Sequence, residues 1–478
     1  MNDLQPYPAY QETDIPWLGQ VPAHWEILPN RALFIEIKDQ NHPDESMLSV
    51  TIKYGVIKQK ELLEDSSKKD SSRSDKSGYK LVRPGDFAYN KMRAWQGAIG
   101  ASKLQGIISP AYIVQRLRSS DIPQYFHHLF RTPMFAREAE RWSYGITSDM
   151  WSLRSEHFKL IYSPRPPKDE QDAIARYLDW ADGRIRRLIR VRQKQIKLLE
   201  EHKQVIIQQA VTGQIDVSTG KPYSAYKDSG VEWLGQVPAH WEVLPLKKWI
   251  TINPDTLPEN TDPEFSFSYL DIGSVGTGVL QKQPEQMRFK DSPSRARRKL
   301  RLGDTIISTV RTYLKAIYHI EEDVSELICS TGFAVLRPQS ETFAKYVSYL
   351  VQNDSFTNRV SANSVGIAYP AISESKFGSF SISIPQKPEQ IAISNYLDSY
   401  IDNISVMITA ANKAINLLKE YRIRLNADIV TGKVDVRQAA AQLLGLPDLE
   451  EELEDEWEED DAETEEDFEE ADDAEQDE

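Results

Sequence analysis

The sequence predicts an α+β chain: two pseudo-symmetric α/β globules separated by two long helices packed as an antiparallel coiled coil, then a disordered acidic C-terminal tail. Three observations predict it. The ten residues Trp17–Glu26, WLGQVPAHWE, recur unchanged at Trp233–Glu242, and self-similarity over so long a period marks a tandem duplication. Two segments of about 40 residues carry apolar positions stepping by four and three, the pattern of a coiled-coil seam. The segment Asp448–Glu478 holds 22 Asp and Glu and no Lys or Arg.

The repeat runs well past the decapeptide. Arg83-Pro-Gly-Asp86 answers Arg301-Leu-Gly-Asp304, and Ser143–Ile146 answers Ser364–Ile367. Glu170-Gln171, Tyr177-Leu-Asp179, Val211-Thr-Gly213 and Asp216-Val217 answer Glu389-Gln390, Tyr396-Leu-Asp398, Val430-Thr-Gly432 and Asp435-Val436. Constant ends with a divergent middle fit one job done on two different targets. The boundaries fall at 1–165 for the first globule, 166–217 for its helical spacer, 218–384 for the second globule, 385–437 for its spacer, and 438–478 for the tail.

Each globule mixes short β-prone runs, such as Ala111–Val114, Thr305–Ser308 and Phe380–Ile384, with turn signals. Short helical patterns at Pro123–Trp142 and Glu341–Asn353 intervene. The first long helix reads from about Glu170 to Val211, with seam positions Ile174, Leu178, Ala181, Ile185, Leu188, Leu199 and Ile206 around a polar centre at Arg192 and Gln195. The second carries Ile393, Leu397, Tyr400, Ile404, Met407, Ala411, Ala414, Leu418, Tyr421 and Leu425 in the same phase. Pro166-Pro167, Pro385 and Pro388 stand ahead of the helices, and Gly213 and Gly432 follow as stops. Antiparallel pairing would set Arg192 opposite the small Ala411.

With 40% hydrophobic residues and 10% aromatics the chain can bury real cores. No run of about 18 apolar residues and no basic, apolar leader occurs, so a cytoplasmic protein with no membrane contact is expected. The lone cysteine, Cys329, rules out an internal disulfide and a Cys-based metal site. The formal charge of −16 comes from the tail, since the remainder carries 57 basic against 51 acidic residues. A segment so acidic and so poor in apolar residues does not offset its chain entropy, hence the expected disorder.

Catalytic patterns are lacking. Arg165-Pro-Pro-Lys168 lacks the Asn or Asp before, and the aromatic after, that amino-methyltransferases use to hold a flipped base. Gly273, Gly276 and Gly278 are not spaced as GxGxxG, and no phosphate loop or HExxH occurs. His24 and His240, inside the decapeptide, read as packing or turn residues, and the ExK spacing of Glu374-Ser-Lys376 is common by chance. No catalytic or metal residue is therefore expected. The middles instead interleave basic and aromatic side chains with amides: Asn90, Lys91, Arg93, Trp95 and Gln96 in the first copy, and Arg311, Tyr313 and Lys315 in the second. Arg311 aligns with Arg93. Arg and Lys bind guanine O6/N7 or phosphate, and Asn and Gln pair with adenine N6/N7. Lys53 and Tyr54, and Arg297 and Arg298, are candidate phosphate contacts. Tyr144, Ser148 and Arg154 in the loop 142–154, and Ser364 and Tyr369 in its counterpart 361–369, are candidate base contacts.

The order of these features resembles the specificity subunits of Type I restriction-modification systems. YKDSGVEWLGQVPAHWE at 226–242 with its copy ending at Glu26, the Gly-Asp turn followed by KMRAWQGAIG at 91–100, Ser109–Val114, and the PPxxEQ-like starts at Pro166–Gln171 and Pro385–Gln390 carry the resemblance over about residues 7–437. It implies two target-recognition domains, each reading one half of a bipartite, asymmetric double-stranded DNA target, and two helical spacers that act as a ruler for the unread gap. It implies no catalysis in this chain, docking of two adenine methyltransferase subunits, and further restriction/translocase subunits. S-adenosylmethionine, ATP and Mg are then expected on those partners, with no cofactor on this chain. The alternative on the same fold is the DNA-binding specificity module of another methyltransferase-linked antiphage system without a nuclease. Two features depart from the family pattern: Tyr313-Leu-Lys315 stands where the first copy has Trp95-Gln-Gly97, and the acidic tail is extra.

Overall fold

The computed structural model describes residues 4–60, 75–145, 151–322, 326–367 and 369–443. Ser148 and residues 444–478 lie outside these residues. The first residues assigned to the tail, 438–443, are ordered: most belong to the helix Arg437–Gln442, whose Ala440 is buried in the first unit's core. The chain folds as two units, Met1–Arg192 with Lys413–Glu478, and Gln193–Asn412. Both divisions fall inside the long helices Lys168–Val211 and Lys387–Val430, so each unit holds one globule and a portion of each helix.

In the first unit a four-stranded antiparallel sheet has the order Phe34–Ile37, Tyr112–Leu117, Phe87–Asn90, Ile99–Ala101. Side chains alternate across a strand, so Phe34, Phe87 and Tyr89 face a core with the helices Pro123–Phe130 and Pro133–Arg141. Phe34 is its centre, with ring centroids of Phe87, Phe126, Phe130 and Phe158 at 5.3–5.8 Å. Ala88 and Val114 face the other way, onto Leu48, Val50 and Val56 of the hairpin Leu48–Thr51/Gly55–Lys58. Thr132 caps the second helix by accepting from Phe135 N at 3.2 Å, with Pro133 at its first position.

The second unit repeats that sheet strand for strand: Ile250–Ile252, Phe333–Pro338, Thr305–Ser308, Ile317–His319. Ile307, Ala334 and Leu336 face the helices Ala344–Gln352 and Asp354–Ala362, while Ile306, Phe333 and Val335 face the opposite core. The copies diverge on that opposite side. The first unit has a hairpin there, and the second has a mixed sheet in the order Glu285–Arg288, Ser266–Leu270, Leu327–Ser330, Ala296–Lys299. The Gly-Asp turns are structural in both. Arg116 forks onto Asp86 at 2.6 and 2.7 Å, and Arg337 onto Asp304 at 2.8 and 2.7 Å.

The helices run antiparallel. In the first unit Ile174, Leu178, Ala181 and Ile185 share a core with Leu425, Ile429 and Val430, and in the second Ile206, Ile207, Ala210 and Val211 share one with Ile393 and Leu397. Ile404 is buried, and Leu199 and Leu418 are half-buried. Four expected seam positions are corrected: Leu188 is 52%, Tyr400 43%, Met407 46% and Tyr421 41% exposed. The packed stripe instead takes Ile189 after Ile185, and Ile401 and Ile408 rather than Tyr400 and Met407. Further along, the expected phase returns, with Leu199 and Leu418 half-buried and Ile206 and Leu425 buried.

Candidate nucleic-acid interface

The repeated decapeptide holds each globule to the helix that leaves it. In the first unit the Glu170 carboxylate, at the start of the first long helix, accepts from Tyr7 Oη, from Trp25 Nε1 at 2.9 Å and from His24 Nε2 at 2.8 Å. In the second, Glu389 accepts from Tyr223 Oη at 2.7 Å, Trp241 Nε1 at 3.0 Å and His240 Nε2 at 2.8 Å. Burial, and then donation to the carboxylate, push both tyrosine hydroxyls well above their ordinary range. The neighbouring glutamines act alike. Gln171 Oε1 accepts from Ile122 N at 2.8 Å and Gln390 Oε1 from Phe343 N at 2.7 Å, each at the N-terminus of a globule helix.

The same decapeptide also receives the end of a long helix. Gly213 and Gly432 adopt φ of +74° and +76°, and a Cβ there would lie 2.4 Å from Pro238 and 2.2 Å from Pro22 respectively. Only glycine allows this close approach. Tyr226 Oη donates to Gly213 O at 3.0 Å and Tyr10 Oη to Lys433 O at 3.2 Å. In the first unit, therefore, the first decapeptide seats both the start of the first long helix and the end of the second.

On this frame the first unit brings most of its predicted contact residues together. Asn90 Oδ1 accepts from Met92 N at 3.0 Å, turning the chain out of the sheet. The turn of 3-10 helix Ala94–Gln96 follows, with Arg93 Nη1 donating to Gln96 Oε1 at 3.1 Å and Trp95 Nε1 to Met92 O at 2.8 Å. Leu153 N donates to Lys91 O at 2.7 Å, which seats the segment from Trp151 beside this loop. Trp151 packs edge-on against Trp95 at 5.7 Å, and Tyr144, 62% exposed, lies against His157 at 5.0 Å. Arg154 is exposed. At the hairpin tip Lys53 sits over the Tyr54 ring at 4.7 Å.

The second unit does the same with different side chains. Arg311 and Lys315 flank the 3-10 turn Thr312–Leu314 at φ of 53° and 45°, left-handed conformations that non-glycine residues hold only where packing enforces them. The packing partner is the segment after Ser364: Arg311 N donates to Pro370 O at 2.8 Å, Thr312 and Ser364 hydroxyls bond at 2.9 Å, and the Arg311 guanidinium stacks on Tyr369 at 4.7 Å. Lys315 Nζ pairs with Asp354 at 2.8 Å. Tyr313, Val365, Ile367 and Tyr369 are 59–104% exposed. Arg297 and Arg298 stand apart, on the strand Ala296–Lys299, where Arg297 covers Phe289 at 4.5 Å and Arg298 is half-buried. Burial lowers the Arg298 guanidinium from its ordinary range.

Sequence reasoning passed over His157 and Arg131, and covered Trp151 and Ile367 only as members of the candidate loops 142–154 and 361–369. Arg131, at the end of the helix Pro123–Phe130, donates to Ile52 O at 2.7 Å, Lys53 O at 2.8 Å, Ile99 O at 3.1 Å and Gly97 O at 3.4 Å. Desolvation lowers its guanidinium to about 10, still charged at neutral pH. Among the described residues no group of three or more His, Cys, Asp or Glu is placed to hold a metal ion, and no helix is long and apolar enough to cross a membrane.

Two copies of one frame, each presenting a different cationic and aromatic loop surface, define a duplicated recognition module. Residues 295–417 match the Type I restriction modification DNA specificity domain. The specificity subunit of the Type I restriction enzyme MjaVIII of Methanocaldococcus jannaschii is 25% identical over 288 residues, covering 59% of this chain and 64% of that protein. A solved structure from work on complex assembly and conformational transition of the type I R-M system superposes with a TM-score of 0.64 at 17% identity, over 87% of this chain and 99% of that one. The HsdS subunit of Thermoanaerobacter tengcongensis gives 0.48 at 18% identity, over 87% and 98%. The chain is therefore similar to the specificity subunits of Type I restriction-modification systems, and its residues 295–417 match the DNA specificity domain of that family.

Proposed function

We propose that this chain is the DNA-reading subunit of a Type I restriction-modification complex and that it reads a bipartite, asymmetric duplex target. The observation that carries the reading is the pairing of a conserved frame with unlike loops. Glu170 and Glu389 are held by matching Tyr, Trp and His donors, while the loops they position are Trp95- and Trp151-centred in one unit and Arg311- and Tyr369-centred in the other. Aromatic and amide side chains with Arg and Lys are the means of base and phosphate contact. Helices of fixed length then set the unread gap, as half-site spacing follows protein geometry in dimeric binders.

The chain has no turnover of its own in this reading and acts in the cytoplasm. Methyltransferase subunits carry S-adenosylmethionine and modify adenine, and restriction/translocase subunits carry ATP and Mg. Apolar side chains exposed on the helices support docking: Leu188, Val191 and Leu417 in the first unit, and Leu198, Val205 and Val406 in the second, are 51–69% exposed. Rows of this kind mark surfaces that partners cover. Exchanging residues 27–165 for those of a relative should alter one half of the methylated target and leave the gap unchanged. A changed gap length would contradict the reading.

A further inference from the structure

We infer that Arg131 is a positioning residue for the first half-site: it welds two contact loops into one reading surface, a task the second unit performs with Thr277 and Gly278. The inference rests on the DNA-reading function proposed above.

The strand Ile99–Ala101 and its twin Ile317–His319 are sheet edges, and each leaves main-chain carbonyls to be satisfied. In the first unit Gly97 O and Ile99 O accept from Arg131 Nη1 at 3.4 and 3.1 Å. The matching carbonyls of the second unit, Lys315 O and Ile317 O, accept from Thr277 Oγ1 at 2.8 Å and Gly278 N at 2.7 Å. Equivalent carbonyls thus have unrelated donors. In the second unit the turn at Gly276–Gly278 pairs directly with the edge. In the first unit the hairpin approaches the edge closely, a Cβ on Gly100 falling 3.6 Å from Gly55 Cα, and Arg131 bonds to main-chain carbonyls of both. Its Nη2 donates to Ile52 O at 2.7 Å and Lys53 O at 2.8 Å.

Among the described residues the hydrogen bonds of Arg131 go to these four carbonyls and to no carboxylate. A cation used this way is a spacer of fixed geometry, since the planar guanidinium presents its donors as a rigid fork. Room for it is built in. A Cβ on Gly55 would lie 3.3 Å from Arg131 Nη1 and from His127, and one on Gly100 3.0 Å from His127 Nδ1. Apolar packing of Leu48, Val50 and Val56 on Ala88 and Ala98 seats the hairpin on the sheet, and Arg131 ties its tip, with Lys53 and Tyr54, to the edge beside the loop Lys91 to Gln96. A base-reading surface tolerates little displacement, because hydrogen bonds weaken steeply with distance and angle.

Two measurements test the inference on the full chain. With Arg131→Gln, amide exchange at residues 51–55 should accelerate at least about tenfold while residues 276–279 keep the wild-type rate, the sign of a local opening rather than a global one. Unchanged exchange at 51–55, or equal acceleration at both places, overturns it. In the native cell, maps of methylated adenine for strains carrying Arg131→Gln should show the first half-site relaxed, with discrimination falling about tenfold or more, and the second half-site and gap intact. Arg131→Lys, which keeps the charge and reaches fewer carbonyls, should restore discrimination in part. An unaltered target in both variants, or methylation lost wholly in both, overturns the positioning role. Wild-type cells whose methylation does not depend on the chain instead refute the DNA-reading function, and leave the exchange result to decide the local strut.

Discussion

Replacing Glu170 by Ala should destabilise the first unit far more than Glu389→Ala destabilises the second. The Glu170 side chain is 2% exposed and that of Glu389 is 24% exposed, and Tyr7 and Trp25 are buried, so removal of Glu170 strands two buried donors. A buried donor left unpaired costs about 1–3 kcal/mol, more when its partner was charged. The loss of Tyr7 and Trp25 bonds therefore totals about 3–5 kcal/mol, with His24 adding little because its ring is 42% exposed. For Glu389, where water reaches the carboxylate and Tyr223 while Trp241 is buried, about 1–3 kcal/mol is expected. Urea and thermal unfolding followed by tryptophan fluorescence should resolve this as a shift of about 10 °C for Glu170→Ala and a smaller one for Glu389→Ala. Equal losses at the two sites, or less than about 1 kcal/mol at Glu170, would refute the hub.

Gly432→Ala should cost about 2 kcal/mol or more, because a side chain at φ +76° meets Pro22. Gly19→Ala, at φ +63° in open space, should cost about 1 kcal/mol, and the comparison by unfolding separates clash from strain. Burial holds His127 well below its ordinary imidazole range, while its Nδ1 accepts from Ala101 N at 3.2 Å. The unfolded chain takes up a proton below about pH 6.5 that the folded unit refuses. Stability of the first unit should thus be full above that pH and fall below it by up to about 1.4 kcal/mol per pH unit. His127→Gln should flatten the slope, and an unchanged slope contradicts the assignment. Arg311→Ala should weaken reading of the second half-site roughly tenfold with the first unaffected, measured by binding of the assembled complex to single-base target variants.

Much of the fold was legible because it depends on near neighbours in sequence. Phe87-Ala-Tyr alternates between two cores as a strand must, and the helix ends at Gly213 and Gly432 follow from stop signals. The exposure of Leu188 and Met407 was not, since apolar spacing marks a stripe without showing which of its positions a neighbouring helix covers. The function of the decapeptide was hidden for a different reason. Trp25 and Glu170 stand 145 residues apart in sequence, and repetition alone marks both as constant without showing that they bond. Arg131 left no signal either, because the matching position ahead of the equivalent cap Asn353 is Gln352, and the second unit satisfies the equivalent carbonyls from Thr277 and a main-chain N–H. The surfaces at Asn90–Gln96 and Arg311–Tyr369 were found by composition, and their assembly into loops on matching sheet edges came only from the fold.

The central claim is that one chain carries two unlike readers on one repeated frame. Mapping methylated adenines across the genome of the native cell, with the chain present and with it deleted, tests that claim most directly. The account predicts a chain-dependent target of two different short sequences separated by a fixed unread gap. Methylation that does not change on deletion, or a chain-dependent target that is continuous, would contradict it.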